Sequence, residues 1–134
     1  MDSANTTCEP RSGRGGSRGM ARTELKVEQE MIEGVVLLHF GGDIDAHSSK
    51  QLQTVLADVF FKDCYKVVVD MQSVKYMSSA GASVLLSGLE EARTHGGNIV
   101  LMNPAASIQH VMELLGILPM FQITNSRDTA LASF

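Results

Sequence analysis

Residues 66–102, KVVVDMQSVKYMSSAGASVLLSGLEEARTHGGNIVLM, hold the stretch whose reading decides the fold. Lys66 to Asp70 is β-branched and continuously apolar in its middle, the mark of a strand buried on both faces. The segment from about Ser79 to His95 places Ala82, Leu85, Leu86, Leu89 and Ala92 at helical spacing, and Gly96-Gly97 stops it. Ile99-Val100-Leu101-Met102 is a second buried strand. A strand, a helix and another strand in that order imply parallel pairing through a right-handed crossover.

Working outward, the same alternation continues in both directions. Upstream, Leu25, Val27 and Met31 mark a first short strand, Glu33-Gly34 a turn, and Val35 to Phe40 a second strand that Gly41-Gly42 is expected to end. Ser48 followed by Gln51 has the spacing of a capping box, and Leu52, Val55, Leu56, Val59 and Phe60 recur at the helical period. Downstream, Asn103-Pro104 reads as an N-cap with proline at the first helical position. Ile108, Val111, Met112 and Leu115 form that helix's apolar face, which Gly116 ends. Met120 to Ile123 reads as a last strand, and Asn125 or Ser126 caps a final helix through about Ala132. The order is ββαβαβαβα: an α/β fold with a mixed, mostly parallel sheet, an antiparallel hairpin at its edge and helices packed against it.

The chain has 134 residues, enough for one domain, assigned to residues 23–134. Residues 1–22 differ in composition: SGRGGSRG at 12–19, with Arg11, Arg14, Arg18 and Arg22, has almost nothing to bury and reads as a disordered basic tail. Met20 is a candidate for the natural start, and the residues before it for vector-derived sequence. With 15 acidic against 11 basic residues, a formal charge of -4 and no tryptophan, the chain lacks the footprint of a direct nucleic-acid binder. Its apolar runs fall far short of the roughly 20 residues of a membrane span. Cys8 and Cys64 stand far apart and suggest neither a metal site nor a disulfide framework, so Cys64 is read as a packing residue in a cytoplasmic protein.

Two segments beyond strand ends qualify as functional loops, Gly41 to Ser48 and Met71 to Gly81. Asp43 and Asp45 have the chemistry of an acid/base or metal pair, but no further ligand stands at useful spacing, and a turn with helix-entry charge is the preferred account of them. His39, His47, His95 and His110 form no constellation, and there is no nucleophile elbow, phosphate loop or dinucleotide fingerprint. No enzyme, cofactor or metal is expected. Ser78-Ser79-Ala80-Gly81 opens the central helix. One serine there caps the helix, or a hydroxyl is exposed for phosphorylation, and the two readings are compatible.

Four segments together resemble a known family. Gly42-Asp43-Ile44-Asp45, followed by a Ser-capped helix, is similar to the Gly-Glu-Leu-Asp segment of bacterial anti-sigma factor antagonists, which are STAS domains. Val67 to Met71 with Tyr76 to Gly81 resembles their strand and phosphoserine motif. Gly96 to Leu101 and Val111 to Ile117 resemble their next turn and strand and their late helix with its exit. The resemblance implies a protein that binds an anti-sigma serine kinase while unphosphorylated and so frees a sigma factor. It also implies that the kinase switches it off by serine phosphorylation and that a metal-dependent PP2C-type phosphatase restores it. It places the acceptor at Ser79 and the partner-binding residues at Asp43, Asp45, Ser78, Ser79 and Gly81. The family usually has Asp before the phosphoserine; here Ser78 stands there and is the alternative acceptor. Related STAS domains that are not phosphorylated serve as scaffold subunits of stress-signalling complexes or as parts of transporters, which is the alternative reading.

Overall fold

A computed structural model describes residues 25–134, so the expected basic tail lies outside the described residues. Strands β1 (Lys26–Ile32) and β2 (Val35–Ile44) form the expected hairpin. Helix α1 (Ser48–Phe61), strand β3 (Lys66–Met77), helix α2 (Ser79–Thr94) and strand β4 (Asn98–Met102) follow. Helix α3 (Ala106–Leu114), a 3-10 turn (Leu118–Met120), strand β5 (Gln122–Thr124) and helix α4 (Arg127–Ala132) complete the order ββαβαβαβα.

The strands lie side by side in chain order, β1 antiparallel to β2 and every later pair parallel. Each crossover therefore steps the same way across the sheet, and one hand of crossover puts α1, α2 and α3 on a single face. Alternation along the strands sorts the core accordingly. Val36, Leu38, Val67, Val69, Ile99 and Leu101 pack with Leu52, Leu56, Leu85, Leu89, Ile108 and Met112 from those helices. Val35, Leu37, Val68, Val100 and Met102 face the other way and pack with Ala130 of α4. Both faces of β3 are thus buried, as its run of valines demanded.

Several boundaries depart from the sequence reading. Gly41-Gly42 does not end β2. The strand bends there through register shifts, with Gly42 at φ 110°, and continues to Ile44. β3 runs on beside it to Met77, so most of the expected loop after Asp70 is strand. Its buried residues Met71, Val74 and Met77 stand three apart, because bulged pairing breaks the period of two that marks a strand. Ser48 and Gln51 form no capping box: Gln51 Nε2 donates instead to the Leu25 carbonyl at 2.7 Å, and Gln51 Oε1 accepts the Leu25 N–H at 3.2 Å. Asn103 takes φ 55° in a tight exit from β4, which moves the start of α3 to Ala106. Leu86 is only partly buried, and Gly88 occupies the buried position on α2 instead. Cys64 is buried, as expected.

Candidate functional site

The parallel ladder of β2 and β3 carries both sequence-selected segments to the same end of the sheet. Asp43 pairs with Tyr76 and Ile44 with Met77, and the Ser78 N–H donates to the Ile44 carbonyl at 2.8 Å. Asp43, Asp45, Ser78 and Ser79 therefore surround one junction where two strands feed two helices. Gly81 lets that junction close: a Cβ there would lie 2.5 Å from Ile44 Cγ2 and 3.0 Å from Met77 Cγ. A larger residue fits only if α2 or the Ile44 and Met77 side chains shift.

The two serines do different things. Ser78 has extended backbone, φ -83° and ψ 170°, and its Oγ accepts the Gly81 N–H at 3.3 Å, so it is the N-cap of α2. Ser79 is the first helical residue and is exposed. The hydroxyl that closes the helix end and the hydroxyl presented to solvent thus belong to neighbouring residues. Aspartate and serine are comparably good N-caps, so Ser78 can fill the position the resembling family gives to Asp without disturbing the helix start.

The two aspartates also part ways. Asp45 is half-buried and turns inward to start α1: its Oδ1 accepts the Ser48 N–H at 2.8 Å and the His47 N–H at 3.0 Å, while its own N–H donates to Ser48 Oγ at 2.9 Å. The Ser48 N–H, then the Ser48 hydroxyl, hold the Asp45 carboxyl below its ordinary range, against a smaller opposing effect of desolvation. Ser48, expected as the cap, is the group that Asp45 caps. Asp43 is exposed. Tyr76, quoted with the resembling motif but not chosen as a site residue, is half exposed beside Asp43. Its signal was an aromatic between the buried Val74 and Met77, at an exposed position of β3, a side chain suited to anchoring a partner. Among the described residues no three His, Cys, Asp or Glu side chains gather as a metal site, and no helix is long and apolar enough to cross a membrane. The junction offers a hydroxyl, a carboxylate and a phenol on a rigid platform, a surface suited to recognition.

A family model described as the STAS domain matches residues 26–130. BtrV of Bordetella bronchiseptica, provisionally assigned as an anti-sigma factor antagonist, is 31% identical over 110 residues, covering 82% of this chain and 95% of BtrV. An anti-sigma factor antagonist from Mycobacterium paratuberculosis has the same fold, with TM-score 0.75 at 20% identity over 84% of this chain and 96% of that one. The anti-sigma factor antagonist SpoIIAA, solved unphosphorylated, matches with TM-score 0.70 at 19% identity over 79% and 93%. SpoIIAA of Bacillus, solved phosphorylated, matches with TM-score 0.65 at 19% identity over 81% and 98%.

Proposed function

This chain belongs to the STAS domain family, and from that premise we propose that it is a cytoplasmic anti-sigma factor antagonist working by reversible binding. Unphosphorylated, it binds an anti-sigma serine kinase and so releases a sigma factor. Phosphorylation of Ser79 ends that binding, and a PP2C-type phosphatase restores it. The observation that carries the reading is the exposed Ser79 hydroxyl at the first position of α2, free of the capping role that Ser78 fills.

The chemistry asked of this chain is modest. Ser79 Oγ attacks the terminal phosphorus of the kinase's nucleoside triphosphate, the bond to the leaving diphosphate breaks, and the hydroxyl proton passes to a base on the kinase. The product carries about -1.5 to -2 charge at a helix N-terminus. The dipole favours negative charge there by about 0.3–1 kcal/mol when exposed, so the modified domain stays folded. In a complex the same group must be desolvated beside Asp43 and Tyr76, where an unpaired charge costs more than the dipole returns. The switch thus acts on the interface and leaves the fold alone.

Intact-mass and phosphopeptide analysis of the protein from its own cells tests this reading. A fraction heavier by one phosphate, carried on Ser79, is expected. A chain never modified under any growth condition would instead fit an unphosphorylated scaffold.

A further inference from the structure

The sheet face covered by α4 carries a charged cluster away from the Ser79 junction. His39 of β2 stands at its centre, with ionisable groups on both ring nitrogens. Nδ1 lies 2.7 Å from Asp70 Oδ2 on β3, and Nε2 lies 3.1 Å from Glu30 Oε2 on β1. The other oxygen of Glu30, Oε1, accepts from Arg127 Nη2 at 2.6 Å, and Arg127 is the first residue of α4. Asp70 Oδ1 accepts the Gln72 N–H at 3.0 Å. Glu28 is the cross-strand partner of His39, and β4 contributes only the apolar Met102 beside Asp70. The ring is partly screened, its side chain 26% exposed against 15% for Asp70.

Two ionised carboxylates are acceptors only, and a neutral imidazole has a single N–H. Both contacts are hydrogen bonds only when the ring carries both protons. Once it loses one, a nitrogen lone pair faces a carboxylate. The shorter contact to Asp70, on the better screened carboxylate, favours the proton staying on Nδ1, which makes the bond to Glu30 the weaker of the two. Glu30 is also the carboxylate that tethers α4, whose Ala130 is fully buried against the sheet.

We propose that His39 is a proton-operated clasp for the C-terminal helix. The clasp is closed while the imidazolium and Arg127 share Glu30, and it loosens when Nε2 gives up its proton. His39–Asp70 is also the last regular pair before the register shift that leads to the Ser79 junction, so the clasp joins the C-terminal helix to the strands that carry it. This inference does not depend on the proposed partner.

The test is NMR on the full chain, following the ¹⁵N-labelled imidazole and the amide exchange of Ala130 and Leu131 across the histidine range, about pH 5–8. The expected result has two parts. The neutral ring keeps its proton on Nδ1, and α4 protection, corrected for intrinsic exchange, falls about two- to fivefold as pH rises, the scale of a half-exposed ion pair. Glu30→Gln should leave α4 at the lower protection throughout, without the pH dependence. A neutral ring protonated on Nε2, α4 protection that does not change with pH, or a Glu30→Gln chain that keeps the wild-type pH dependence would each overturn the clasp. The wild-type measurements decide the matter even if the variant does not fold.

Discussion

Neighbouring residues at the junction of β2, β3, α1 and α2 divide labour that a motif treats as one unit. Ser78 caps and Ser79 is presented; Asp45 caps and Asp43 is presented. The division is open to measurement. Ser78→Ala should destabilise the domain by about 1 kcal/mol, the usual cost of losing an N-cap, whereas Ser78→Asp should be nearly neutral. Equal unfolding midpoints in urea for all three proteins would remove Ser78 from the capping role. Asp45 adds a pH signature. Hydrogen bonds from Ser48 hold its folded pKa below the unfolded value of about 3.9, so its contribution to stability is complete above that value. That contribution is lost as pH falls through the folded value. The stability gap between wild type and Asp45→Asn should therefore narrow once the pH drops below about 4. A gap that stays constant down the acid limb would contradict the capping geometry.

At the scale of elements, α2 shows how periodicity succeeds and where it stops. Leu85 and Leu89 are fully buried against the sheet, whereas Leu86, one step around the helix, is only partly covered. Leu85→Ala should cost about 2–5 kcal/mol, the range for a truncated core leucine, and Leu86→Ala clearly less. The reverse order in equilibrium unfolding would mean that α2 is rotated. The order of elements was legible because runs such as Val67-Val68-Val69 and Ile99-Val100-Leu101-Met102 must be buried on two faces, and the helices between them must cover one. The ends of β2 and β3 were not legible. Their bulges replace a period of two with Gly41-Gly42 and with apolar residues three apart, the same signals that a loop gives. That both candidate segments meet at one end of the sheet was legible, since they follow neighbouring strands. Which serine caps and which is exposed was not, because that depends on the backbone angles of Ser78.

For the molecule as a whole, the sheet is a frame that carries the exposed Ser79 hydroxyl to the end where β2 and β3 feed their helices. Gly81 brings α2 so close to Ile44 and Met77 that the helix start has little room to shift, which favours a switch read by a partner over one that rearranges the domain. The most direct measurement is the affinity of Ser79→Asp for the proposed anti-sigma kinase partner, made alongside its urea unfolding midpoint. The account predicts binding weaker by about a hundredfold or more, equivalent to about 2.8 kcal/mol, with the midpoint unchanged or slightly raised. Binding equal to wild type would contradict it, and so would lost binding that merely tracked an unfolded domain.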